Sequence, residues 1–280
     1  MFGRIEENGI TYEGELVDGK KHGRGRRYSN DAFVPERTET AIVWFEDDGL
    51  FEDNRFVSGK CSARYSDGAY FEGEWENGDK NGYGVMKYPH GQIYEGNWEN
   101  GYFSGYGKLT LGNGMISEGN FKNGLRHGFC KVFDENGKLK YSGDFKKGNM
   151  DGMGTFFYSN GDKYNGEWLN HKCHGQGTYY YYNGNKWTGE WLKDKKVNGQ
   201  GYIYYCEDGR YEQCSYYFGK LKDGLYQGFG VFVNSDGGKF EGHFVKGERH
   251  GKFIFTNNKG EKFSCKFKKG QLLESATKKL

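Results

Sequence analysis

The chain has 280 residues, 48 of them glycine and only two proline, with 23 Tyr, 22 Phe and 6 Trp. Glycine without proline excludes collagen, and this many rings excludes a disordered linker. The 40 Lys and Arg nearly balance 38 Asp and Glu, so bulk charge does not point to a nucleic-acid binder.

Aromatic residues are 18% of the chain and all hydrophobic residues together 35%, so a core must come largely from rings packed against glycine. No apolar run approaches the roughly 18 residues of a bilayer span. The start, Met1 to Glu7, lacks the apolar stretch of a signal peptide, and Phe2 does not fit glycine-second acylation. The six cysteines contain no CxxC pair. The reading is a soluble protein of a reducing compartment, cytoplasmic, with free thiols expected even at Cys206 and Cys214, which a hairpin could bring close.

In chain order, Phe2–Ile5 reads as a lone second strand, and Tyr12-Glu13-Gly14-Glu15-Leu16, closing at Gly19, as the first hairpin unit. Residues 26–58 fit poorly, with an irregular stretch at 29–41 around Pro35 and a degraded copy near Asn54–Gly59. From Phe71 the copies become regular, with further starts at Tyr94, Ser117, Tyr141, Tyr164, Trp187, Tyr217, Phe240 and Phe263. The spacing is 23 or 24 residues except for seven extra around Glu207–Ser215. Phe263–Phe267 reads as a lone first strand, and residues 271–280 as a polar tail. The domain assignment is one repeat array over 1–270, about ten hairpins, irregular at 26–58 and 207–215.

Within a unit the period is two. Tyr94, Gly96 and Trp98 share one face while Glu95 and Asn97 take the other; Asn100-Gly101 turns the chain, and Gly105-Tyr106-Gly107 opens the second strand. Regular glycine in strands needs a reason, and the simplest is space for rings projecting from neighbouring strands. Cys130 and Cys265 occupy two of these glycine slots, consistent with a demand for small size.

The pattern Tyr-x-Gly-x-Trp-x-x-Gly, then His/Asn-Gly-x-Gly and an aromatic residue, resembles the MORN (membrane occupation and recognition nexus) repeat over about residues 12–270. His171 and Asp194 depart from it at the turn glycine, and Phe253 at a strand glycine. The resemblance implies an all-β fold, an elongated, twisted, single-layer antiparallel sheet of stacked hairpins. It also implies likeness to radial-spoke-head and other axonemal proteins built only of these repeats.

Candidate chemistry is sparse. His22, His127, His174 and His250 share a slot filled elsewhere by Asn81, Ser104, Asp151, Asn198 and Gln227, which suits a side chain bonding turn backbone rather than a metal. Gly-x-Gly here enters strands, without the Lys-Ser/Thr of a phosphate loop, and no nucleophile elbow occurs. No enzyme, metal or cofactor is expected. Trp75, Trp98, Phe121, Phe145, Trp168, Trp191 and Phe244 form a ladder at the fifth position of successive units, expected as repeat core. Phe157, Tyr180, Tyr182, Tyr202 and Tyr204 fall outside the repeat register and are candidate protein contacts. Lys20, Lys21, Arg24, Arg26 and Arg27 in the first hairpin, with Lys262, Lys266, Lys268 and Lys269 in the last, are candidate contacts for an acidic partner.

The expectation is a non-catalytic structural scaffold that docks other proteins within a cytoskeletal assembly, the ciliary axoneme, with self-association through open sheet edges and no nucleic acid. The alternative is a peripheral membrane protein that binds anionic phospholipids through basic hairpin turns.

Overall fold

The computed structural model describes residues 1–29, 42–205 and 214–279, without the side chains of residue 204 and of 275 onward. Contacts divide the chain into two units, Met1–Gly148 and Asn149–Leu280. The described residues form strands and turns, with no helix. Unit 1 holds β1 (Phe2–Glu7), β2 (Ile10–Val17), β3 (Lys20–Ser29), β4 (Ile42–Glu52), β5 (Arg55–Tyr65), β6 (Tyr70–Glu76), β7 (Asp79–Lys87), β8 (Ile93–Glu99), β9 (Tyr102–Thr110), β10 (Ile116–Lys122), β11 (Leu125–Phe133) and β12 (Leu139–Lys146). Unit 2 holds β13 (Asn149–Phe157), β14 (Lys163–Leu169), β15 (Lys172–Tyr180), β16 (Lys186–Leu192), β17 (Lys195–Tyr205), β18 (Ser215–Lys222), β19 (Leu225–Val233), β20 (Lys239–Val245), β21 (Glu248–Thr256), β22 (Lys262–Lys268) and β23 (Gln271–Lys279). Within each unit every strand pairs antiparallel with its sequence neighbour, as in β7 with β8 and β8 with β9. The expected antiparallel stack of hairpins is therefore the observed architecture.

The hairpin tips explain the Asn-Gly spelling. Asn100 and Gly101 have φ of 49° and 79°, both left-handed, which gives the two-residue turn whose twist matches the flanking strands. The two anomalous turns keep this geometry: His171 sits at φ 65° and Asp194 at 68°. Each offsets the cost of a side chain there with a bond to the preceding hairpin. Met150 N donates to His171 Nδ1 at 3.4 Å and Cys173 N to Asp194 Oδ1 at 2.8 Å. Asn54, at φ 72°, does the same, accepting from Lys21 N at 2.9 Å.

Glycines stand opposite glycines along successive strands: Gly73 faces Gly84, Gly84 faces Gly96, Gly96 faces Gly107. A Cβ on Gly107 would lie 2.4 Å from the Tyr94 hydroxyl oxygen, and one on Gly177 2.2 Å from that of Tyr164. The rings thus occupy the volume that the missing side chains leave. Second strands also carry a two-residue bulge, seen where Gly96 pairs Gly107 but Trp98 pairs Phe103. Tyr94 Oη donates to the Asn97 carbonyl opposite this bulge at 2.8 Å; Tyr164 and Tyr217 serve Glu167 and Lys220 likewise. In the unit that starts at Ser117 the ring is absent. There Cys130 fills the glycine slot and its thiol donates to the corresponding carbonyl, Asn120, at 3.1 Å.

The ladder residues Trp98, Phe121, Phe145, Trp168, Trp191 and Phe244 are buried, and Trp75 half-buried. Trp98, Trp168 and Trp191 donate Nε1 to the carbonyls of Gly84, Gly154 and Gly177 at 3.1–3.2 Å.

Three features differ from expectation. Gln271–Lys279, read as a polar tail, is strand β23 paired with β22. Residues 42–58, which fit the repeat poorly, form a paired hairpin whose bulge is one residue instead of two: Leu50 faces Ser58 and Phe51 faces Phe56. The same variant recurs in unit 2, where Gly189 faces Gly199 and Trp191 faces Lys196. Both carry an added valine, Val57 and Val197, ahead of the usual polar slot. Cys214 is disulfide-bonded rather than a free thiol, whereas Cys61, Cys130, Cys173 and Cys265 are free and buried. The expectation for Cys206, and the irregular 30–41 and 206–213 stretches, lie outside the described residues.

Candidate functional site

Strand alternation sends the conserved-pattern rings of each unit to one face and leaves the other to polar residues and off-register aromatics. On that second face of unit 2 the pairing register lines up one continuous row. Phe157 faces Lys163, Lys163 faces Tyr180, Tyr180 faces Lys186, Lys186 faces Tyr202, Tyr202 faces Phe218 and Phe218 faces Val231. Three of the five candidate contact residues thus fall on one line across six adjacent strands. Tyr180 and Phe218 are each 36% exposed, Phe157 and Tyr202 half-buried. Tyr182 lies off the row, in a turn, at 74% exposure, while the Tyr204 side chain is outside the described residues.

The row is held by its own chemistry. Lys163 Nζ sits 4.5 Å from the Tyr180 ring centroid and Lys186 Nζ 5.6 Å from that of Tyr202. Tyr202 stacks on Phe218 at 4.5 Å. Neither lysine forms an ion pair among the described residues. Beside the row, Asn165 Nδ2 donates to Thr155 Oγ1 at 2.6 Å and the hydroxyls of Thr178 and Thr188 bond at 2.9 Å. Alternating rings and ammonium groups, flanked by a self-satisfied polar row, make an ordered surface with apolar area and spare positive charge. Sequence reading found the rings but not the lysines between them, because cross-strand order depends on every bulge and turn length in the unit.

The basic clusters do not form single patches. Arg27 pairs with the buried Asp47, Arg26 with Glu46 at 2.7 Å and Lys20 with Asp53 at 3.3 Å, and Lys21 lies half-buried over the Tyr12 ring. Arg24 alone in the first cluster has no side-chain partner among the described residues. In the last hairpin Lys266 approaches Glu274 at 3.7 Å, while Lys262, Lys268 and Lys269 are exposed.

The shared histidine slot behaves as a turn brace. Asn81 Oδ1 accepts from Asn100 N at 3.0 Å and Gln227 Oε1 from Lys246 N at 3.1 Å, each tying one hairpin to the next. Glu74 and Glu167, polar-face carboxylates, accept the bulge amides Tyr83 N and Gln176 N. Among the described residues no group of three or more His, Cys, Asp or Glu is arranged to hold a metal ion.

Such a stack of glycine-and-ring hairpins defines a β-repeat scaffold. The MORN repeat profile matches residues 12–31, 71–92, 94–116, 118–138, 141–163, 164–186, 217–239 and 240–252, well over half the chain. The chain belongs to the MORN-repeat family, whose fold is that of a non-enzymatic repeat scaffold serving protein or membrane interaction. The profile skips both variant hairpins with the added valine. No curated protein sequence matches the chain. Similar solved structures include the wild-type TCP10 domain of Danio rerio CPAP, at 9% identity over 98% of this chain and 99% of that one, with a TM-score of 0.23. Another is a catalytically inactive virginiamycin B lyase from Staphylococcus aureus with quinupristin, at 10% identity over 76% and 82%, with a TM-score of 0.15. At those TM-scores neither bears on fold or function.

Proposed function

We propose that this chain is a non-catalytic structural scaffold that docks other proteins within a cytoskeletal assembly such as the ciliary axoneme, in the manner of radial-spoke-head proteins. The observation that carries it is the row Phe157–Lys163–Tyr180–Lys186–Tyr202–Phe218, an ordered aromatic surface on the face that the repeat does not need for its core. Exposed rings set in a rigid sheet bury large area at small entropic cost, which is what protein interfaces use. Ion pairing within the first basic cluster argues against the phospholipid alternative at that hairpin. The cytoskeletal and axonemal location rests on the family resemblance alone.

The test is a Tyr180→Ser/Tyr202→Ser variant, which leaves the ring core untouched. Its capture of native partners is expected to fall sharply at unchanged thermal stability. Partner capture equal to the parent refutes docking through this row. Co-sedimentation with phosphoinositide vesicles that is lost on charge reversal at Lys268 and Lys269 favours the membrane alternative instead.

A further inference from the structure

The residue that follows each tip by two positions faces the ladder ring of its own hairpin. Lys80 faces Trp75, Phe103 faces Trp98 and Arg126 faces Phe121 in unit 1; Lys196 faces Trp191, Tyr226 faces Leu221 and Arg249 faces Phe244 in unit 2. Each unit therefore presents the same triplet on its ring face, lysine, aromatic, arginine, on every second strand. At about 4.8 Å per strand the two cations stand roughly 19 Å apart with the aromatic ring midway.

The cations are unusual in their surroundings. Lys80 Nζ lies 5.4–5.6 Å from the centroids of Tyr65, Phe71, Trp75 and Trp98, and Lys196 Nζ within 5.9 Å of four rings. Arg249 sits over Phe232, Phe240 and Phe267, and Arg126 over Phe145. All four are half-buried, and none forms an ion pair among the described residues. Desolvation lowers the pKa of Lys80, Arg126 and Arg249 below their usual values, a sign that the charge is carried at a cost. Two buried hydroxyls on this face, Tyr65 Oη near Lys80 and Tyr226 Oη, have no hydrogen-bond partner. The central rings are held firm: Phe103 stacks on Tyr94 at 3.7 Å and Tyr226 on Tyr217 at 3.8 Å.

We propose that each triplet is a docking site for a linear acidic protein segment that sets two carboxylates on the lysine and arginine and one apolar side chain on the ring between them. Unpaired donors sunk among rings call for an acceptor on a flexible stem, which Glu and Asp provide and a flat headgroup plane does not. A carboxylate there supplies the missing counter-charge in a site already shielded from water, where such pairs are strong. In an extended chain the half-spacing corresponds to about three residues, so the matching pattern is acidic-x-x-apolar-x-x-acidic. This inference rests on the protein-docking reading but uses the opposite face from the Tyr180–Tyr202 row.

The experiment measures binding of a fluorescein-labelled (Glu-Ser-Ser-Leu-Ser-Ser)3 peptide to the full chain by anisotropy, at about 0.05 M and about 0.3 M salt. Lys80→Met, Arg126→Met, Lys196→Met and Arg249→Met together keep the bulk of each side chain and remove the charge. The parent is expected to bind saturably and more weakly at high salt, and the fourfold variant about tenfold or more weakly. Its melting temperature is expected to be unchanged or higher, which distinguishes a binding role from a structural one: cations present only to cover rings would lower it on removal. Absent peptide binding, equal binding by the variant, or equal binding of the Lys-for-Glu peptide overturns the proposal. Those outcomes leave the Tyr180→Ser/Tyr202→Ser test standing, and failure of that test leaves this one standing.

Discussion

Replacing Gly107 with alanine tests directly whether missing side chains house the rings. Its backbone lies outside the left-handed region, so alanine brings no dihedral strain and only the methyl group counts. That methyl would stand 2.4 Å from Tyr94 Oη and 2.6 Å from Cζ. The ring has no easy retreat: Tyr94 is fully buried, stacks on Phe103 and donates to the Asn97 carbonyl at 2.8 Å. Overpacking of this kind costs about 1–3 kcal/mol, and loss of the hydroxyl bond adds about 1 kcal/mol. The expected destabilisation is therefore about 2–4 kcal/mol, read from urea unfolding followed by aromatic fluorescence. Pairing it with Tyr94→Ser recreates the Ser117 and Cys130 arrangement of small residues in both positions, so the double variant should lose clearly less than the sum of the singles. A Gly107→Ala cost under about 0.5 kcal/mol, or strict additivity, would refute the steric argument.

Turn chemistry gives a second test: Asp194→Gly relieves the left-handed backbone while losing the bond to Cys173 N, so it should be near neutral, whereas Asp194→Ala loses the bond without relief and costs about 1–2 kcal/mol. Asp47→Asn strands Arg27, its ion-pair partner, and should destabilise unit 1 by about 3–5 kcal/mol in the same unfolding assay. Asp162 supplies a pH test. Burial alone would raise its pKa, but bonds from Tyr179 Oη, Tyr182 N and Asn160 Nδ2 outweigh this and hold it below the ordinary carboxylate value. A depressed folded pKa gives stability that is present above the unfolded value of about 3.9 and lost as pH falls through the folded one. Asp162→Asn should therefore flatten the acid limb of the melting-temperature profile below about pH 4, and an unchanged limb would contradict the assignment.

Much of this fold is legible in the sequence because the repeat spells out each local rule. Period-two alternation gives the strands, Asn-Gly and its relatives give left-handed tips, and Gly-x-Gly marks where rings need room. What is not legible depends on accumulated register. Val57 and Val197 each shift a bulge by one residue, and nothing near them announces that the pairing beyond still closes. The lysines of the Tyr180–Tyr202 row look like ordinary polar-face residues until strands are set side by side. Lys20, Lys21, Arg26 and Arg27 look like one basic patch because the sequence does not show that Asp53, Glu46 and Asp47 come from the next hairpin to meet them. Residues 271–279 look like a tail because their composition is polar, yet backbone pairing to β22 is enough to make a strand.

The docking face is tested most directly by placing a photo-crosslinking amino acid at position 202, irradiating in native cells, and identifying the adducts by mass spectrometry. Reproducible protein adducts at 202, absent from the same probe at the ring-core position 187, are the expected result. Adducts to lipid alone, or equal protein labelling at both positions, would contradict a protein scaffold that works through this face.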